Sequence, residues 1–297
     1  MTTPDVLTAS RGLTVSVFRA SRLWRDLFVG LSGLVLLVLV MGAAVGPLLV
    51  KQDPNSGVAM ERLQGPSARH WAGTDEFGRD VLSRLIAGAR VSLFVGVVAV
   101  SVAGVAGLLV GIACGFYGGI ADLIVQRIVD ALMALPTLLF LLVVVTVFGS
   151  DVSTMAIAIG LAQAPTIVRV IRSVALSLKQ ELFIDAARVS GASDLRILAL
   201  HVAPGCIPAL LVLAAGSIGV AIIAEGALSF LGVGVKPPQA SWGNMLAGAR
   251  PFVSRAPWLT IAPSICVVLT VMAFNVLADH LRDLLDPKLR RALGRGG

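Results

Sequence analysis

Chemistry inside an apolar chain needs an ionisable group held away from water, and this sequence offers few. Glu225 is the one carboxylate deep in a long apolar stretch, IPALLVLAAGSIGVAIIAEGALSFLGV. An acid in such surroundings is by default a functional candidate. Counted from Pro208 it lies 17 residues along, about 26 Å at the helical rise, which places it near an interface rather than at midplane. Two roles fit it: a structural hydrogen bond, or lining and gating a pathway where it would attract an ammonium group. Arg127 and Asp130 are spaced for a pair on one helix. Other catalytic equipment is missing. Cys114, Cys206 and Cys266 lie in or beside apolar runs, and His70, His201 and His280 are far apart, which argues against a disulfide framework and a metal cluster. The cysteines read as small packing hydrophobes. The apolar runs hold no paired acids and no nucleophile beside a base, so an intramembrane enzyme is disfavoured. No Gly-rich loop ends in Lys-Ser or Lys-Thr, the phosphate cradle.

One polar segment stands out between apolar runs, KQELFIDAARVSGASDLRILALHVAPGCIP, Lys179 to Pro208. Leu182, Ala186 and Val189 fall at i, i+4 and i+7, the spacing of a short amphipathic helix. Gly191 can end that helix, and Ser193 or Asp194 can cap a second one. Pro204 and Pro208 suit entry into the following apolar run. Ala186 and Ala187 give the first helix a small face that another surface can approach closely.

The elements that position these residues are membrane helices. The sequence is 57% hydrophobic and only 14% charged, against roughly 25% charged in a soluble domain. Apolar runs near the roughly 20 residues that span hydrocarbon recur at Phe28–Val50, Val91–Phe116, Ile124–Phe148, Val152–Ile171, Pro208–Leu231 and Trp258–Leu281. They are too long for membrane strands and lack a period of two. The fold class is therefore all-α integral membrane with about six transmembrane helices. Gly and Ala at 103, 104, 106, 107 and 111 are the small residues that let spans pack closely. A secondary transporter would have midplane ionisable residues for coupling ions, and this chain has almost none.

Domain boundaries follow: an amino-terminal segment 1–26, a membrane domain 27–284 and a tail 285–297. Within the domain lie an external loop at about 51–90 and a cytoplasmic loop at about 172–207. The formal net charge of +7 is scattered rather than gathered on one face, so nucleic acid is not expected. Six spans put both termini on one side. Fifteen of the 24 Lys and Arg fall there, counting Arg127 and Arg169 at span ends, which makes that side cytoplasmic. The segment Asp80 to Ser92 sets Val81, Leu82, Leu85 and Ile86 against Arg79, Arg84 and Arg90, as for a helix lying on the outer membrane surface. Trp242 and Trp258 bracket a further external loop as interfacial anchors.

Asp185-Ala186-Ala187, then Gly191, then Pro204 resembles the EAA signature of ATP-binding-cassette importer permeases, with Asp185 in place of the usual Glu and Ala203 in place of the usual Leu. The segments 73–85, 227–234, Pro237-Pro238, 241–244 and 285–290 are similar, in order, to the second permease of dipeptide, oligopeptide and nickel importers. The resemblance implies a type I importer fold whose helix at Asp185–Gly191 is a cytoplasmic coupling helix docking in a groove of the ATPase. It also implies a homologous permease partner, two ATPase subunits or a fused pair that hold ATP and Mg, and an extracytoplasmic solute-binding protein. The setting is the bacterial cell membrane. Asp75, Arg79, Trp242 and Asn244 are the expected contacts with the binding protein. This chain itself would hold no cofactor, and its substrate would be a di- or oligopeptide, or alternatively nickel or another small solute.

Overall fold

The computed structural model describes residues 27–46 and 52–285. The segment 1–26, most of the tail 285–297 and the end of the first apolar run lie outside them. All the long elements are helices: α1 Leu27–Gly46, α2 Val81–Tyr117, α3 Gly119–Ala134, α4 Thr137–Phe148, α5 Val152–Lys179, α6 Leu182–Val189, α7 Asp194–Ile197, α8 Ala203–Phe230, α9 Trp242–Ala249 and α10 Trp258–Leu285. Five helical segments are long and apolar enough to cross a membrane, and the pair α3 and α4 makes a sixth if counted as one span.

The expected outer-surface helix at Asp80 to Ser92 is not a separate element. It is the beginning of α2, a 37-residue helix of about 55 Å. Asp80 caps it, accepting from the Ser83 amide at 2.8 Å and the Ser83 hydroxyl at 2.7 Å. Val81, Arg84, Leu85 and Ala89 are buried because the chain's own loop 52–80 and α9 cover this end. The loop expected at 51–90 therefore ends at Asp80. At its far end Gly118 and Gly119, both with positive φ, turn the chain into α3.

The apolar run 124–148 is not one straight span either. It breaks between α3 and α4 with a bend of 95°. The cause is local: Leu135 precedes Pro136 and takes an extended conformation, φ −79° and ψ 135°, as a pre-proline residue must to avoid the ring. A second interruption precedes α8. Residues 198–202 form a π-type turn joining α7 to α8 just before Pro204, where a missing amide forbids regular helical bonding.

The centre is the contact of α2 with α5. A Cβ at Gly107 would sit 2.4 Å from Ile167 Cγ2, one at Gly111 would sit 2.9 Å from Val168 O, and one at Gly115 would sit 2.6 Å from Arg172 O. Gly160 returns the favour against Ala99 O at 2.6 Å. Glycines four apart thus let two backbones touch over two turns, which dispersion rewards where lipid supplies no hydrophobic drive. A Gly111→Ala substitution should cost about 1–3 kcal/mol by overpacking. Gly104→Ala, whose methyl would meet only Leu210 Cδ1 at 3.6 Å, should be tolerated. Thermal unfolding of the detergent-solubilised protein checks the contrast, and equal melting points would refute the close contact.

Candidate functional site

α6 is built as the sequence spacing predicts, and its apolar stripe faces outward. The helix spans Leu182–Val189 and closes on Gly191, φ +79°, through a Schellman pair: the Gly191 amide bonds Arg188 O at 2.9 Å and the Ala192 amide bonds Ala187 O at 3.0 Å. Ser193 occupies the cap position of α7 without a side-chain bond. Its inner contact is Ile184, fully buried with Ile197, Val202, Cys206 and Phe116, and Ala187 packs against the same cluster. Leu182 and Val189 point outward, 84% and 91% exposed, with Ala186 and Leu195 exposed beside them. The stripe at i, i+4 and i+7 is thus an external apolar surface. The two alanines are split, Ala186 outward and Ala187 inward. Asp185 is exposed and lies 3.8 Å from Arg188. Lys179 and Arg188 lie over the Phe116 ring at 5.7 and 5.6 Å, holding α6 to the end of α2.

Glu225 sits at the opposite end of the bundle, enclosed on all sides. Its oxygens accept from the Ser92 hydroxyl at 3.1 Å and the Ser229 hydroxyl at 2.8 Å. Those hydroxyls accept in turn from the backbone amides of Trp242 at 3.3 Å and Val235 at 3.2 Å. One carboxyl group therefore joins α2, α8, the loop after α8 and α9. Gly243 permits the approach, since a Cβ there would meet Gly226 Cα at 2.6 Å. The enclosed side chain makes the hydrogen bonds of the first expected role.

Three of the four residues expected at the binding-protein contact, Asp75, Arg79 and Trp242, are buried. Asp75 accepts from the amides of Phe77 at 2.8 Å and Arg79 at 2.9 Å, from Arg79 Nε at 2.7 Å, and lies 3.4 Å from Arg84 Nε. Asp75 and Arg79 are buried, as is Trp242, whose indole donates to Leu85 O at 3.1 Å. Asn244 completes a capping box with Ser241 and donates to Gln239 O at 2.5 Å. Asp75, Arg79 and Trp242 brace the scaffold from inside, and Asn244 holds the half-buried start of α9. Trp258 does likewise, donating to Thr74 O at 3.3 Å. Near this group, burial pushes the Glu76 carboxyl above its ordinary value and Asp75 adds to the rise, while a backbone hydrogen bond, Arg79 and Arg84 pull it back.

Asp130, expected to pair with Arg127 on its own helix, is paired across to α5 instead. Asp130 receives Arg169 of α5, and Asp122 receives Arg172 through two bonds of 2.6 Å. Sequence reasoning passed over Asp122, Arg169, Arg172, Ser92 and Ser229. The available signal was charge balance: acids in and just before one apolar run, and arginines in and just after the next, require partners.

With this geometry in hand, residues 107–291 match the family described as binding-protein-dependent transport system inner membrane component. The chain belongs to this family. It is similar to the dipeptide transport system permease protein of Alkalihalophilus pseudofirmus, 38% identical over 275 residues and 90% of each chain. It is also similar to the glutathione transport system permease protein of Pectobacterium atrosepticum, 41% identical over 260 residues, covering 87% of this chain and 86% of the relative. The chain is thus an integral membrane permease subunit. The region matched to the family begins in the glycine ladder at Gly107 and includes α6 and Glu225.

The serine-caged carboxyl yields a prediction. Glu225→Ala removes the acceptor for two buried hydroxyl protons, at about 1–3 kcal/mol each, and should lower the melting point of the purified permease clearly. Glu225→Gln keeps an acceptor for one hydroxyl and can donate its amide N–H to the oxygen of the other, so it should lose clearly less than Glu225→Ala. Equal melting points for all three would show that this node carries no stability.

Proposed function

We propose that this chain is one of two homologous permease subunits of an ATP-driven importer for di- or oligopeptides, and that α6 is its coupling helix. The observation that carries the coupling role is the outward apolar stripe of Leu182, Ala186 and Val189. A helix fixed from within by Ile184 and exposing apolar side chains is shaped to fill a groove on another protein. The peptide substrate rests on the named activities of the dipeptide and glutathione permease relatives.

The partners in this reading are the second permease, two ATPase subunits or a fused pair, and an extracytoplasmic solute-binding protein. ATP and Mg are held by the ATPases. Closure of the ATPases around ATP displaces α6, and the attached spans swing the pathway from one side of the bilayer to the other. The amino terminus, α6 and the tail are cytoplasmic, and loop 52–80 faces outward, in keeping with the bias of Lys and Arg.

Ala186 is the residue to test, because Ala187 packs on the chain's own core. Ala186→Arg places a bulky charge in a close-packed groove, where overpacking costs about 1–3 kcal/mol. Since 1.4 kcal/mol is about tenfold, ATPase docking should weaken by about tenfold, while Thr8→Arg leaves it unchanged. Copurification of the ATPases and stimulated ATP hydrolysis measure this; wild-type assembly by the Ala186 variant would defeat the coupling role. For orientation, single cysteines at Ser56 and Ser193 in a cysteine-free background should react differently with an impermeant thiol reagent on intact cells. Position 56 should label and 193 should not.

A further inference from the structure

α3 is attached to the bundle differently from its neighbours. Only Asp122 and Val129 of its residues are buried, so apolar packing contributes little to holding it. Charge takes that place. Arg172 gives Nε and a terminal nitrogen to the two Asp122 oxygens at 2.6 Å each, the bidentate form that fixes direction as well as distance. Arg169 donates to Asp130. The two acids stand eight residues apart on α3, about 12 Å, so α5 grips α3 at two points and resists its rotation as well as its translation.

The two ends of this link lead to the moving parts. α5 runs on from Arg172 to Lys179, and after Gln180 and Glu181 the chain enters α6. α3 runs through the Leu135–Pro136 corner into α4. The Asp130–Arg169 pair is about half exposed on both sides. Half-exposed charges in a span are not set against hydrocarbon, so this side of the α3–α5 seam faces water or another protein surface.

We propose that Asp122–Arg172 and Asp130–Arg169 form a two-point clasp through which displacement of α6, transmitted along α5, carries the bent span α3–α4. The four side chains are positioning residues for transport. The proposal rests on α6 being the coupling helix. A packed apolar seam can slide by a methyl at a time, whereas separating a bidentate pair away from water leaves two unpaired charges. The clasp therefore moves as one piece with α5.

The test uses the complete complex with its partner permease and ATPases, with native cysteines replaced. Spin labels at Thr146→Cys on α4 and Ile265→Cys on α10 report α4 movement, and labels at Ser190→Cys and Ile265→Cys report α6 movement, with and without trapped ATP. In the parent protein both distances should shift with ATP. With Asp122→Asn and Asp130→Asn together, the α6 shift should remain and the α4 shift should be lost. The swap of Asp130→Arg with Arg169→Asp should restore pairing and retain the α4 shift. Persistence of the α4 shift in the double Asn variant overturns the clasp while leaving the coupling role of α6 standing. Absence of an α6 shift in the parent protein overturns both. If the double Asn variant does not assemble, the single variants decide: a reduced α4 shift with the α6 shift kept in Asp122→Asn supports the clasp, and a full α4 shift in both Asp122→Asn and Asp130→Asn overturns it.

Discussion

The fold depends on how near α2 and α5 come to each other. Gly107 takes the Ile167 side chain against its backbone, and Gly111 and Gly115 meet the backbone oxygens of Val168 and Arg172 directly. Everything else takes its place around that axis. α8 and α10 pack outside it, α6 and α7 close one end over Phe116, and loop 52–80 with α9 closes the other. Because a bilayer offers spans no hydrophobic reward for association, this contact relies on dispersion over short distances. It tolerates almost no added volume.

The second constraint is that polar groups inside the bundle must be satisfied by the bundle. The chain answers it in two ways. At one end a carboxyl group is wrapped by hydroxyls that relay it to backbone amides, giving Glu225 a local and stationary role. Toward the other end, acids and arginines face each other across helices. The first arrangement ties a junction of four elements. The second joins elements that belong to different parts of the chain's path, the broken span and the helix leading to α6.

Much of the helix pattern was legible because runs such as Trp258–Leu281 are long, apolar and flanked by polar residues. α6 was legible from Leu182, Ala186, Val189 and Gly191, yet its direction was not. A periodic apolar stripe is the same in sequence whether it seals a core or waits for another surface. The break at Pro136 was written in one residue, but the uniform hydrophobicity of 124–148 masked it. Arg79 and Asp75 looked like an exposed charged loop because local spacing cannot show that their partners close around them. The pairs between α3 and α5 join residues 39 and 50 positions apart, beyond any local rule.

The outward stripe of α6 has a consequence for the life of the subunit in the cell. Until it is covered, Leu182, Val189 and Leu195 offer water a row of apolar side chains at an aqueous end of the protein. Chaperones and membrane proteases recognise such segments. Under the coupling role proposed for α6, a permease made in excess of its ATPase leaves this stripe uncovered, and the surface that would complete the machine also marks the orphan for removal. Supply of one subunit would then be matched to the other without a dedicated sensor.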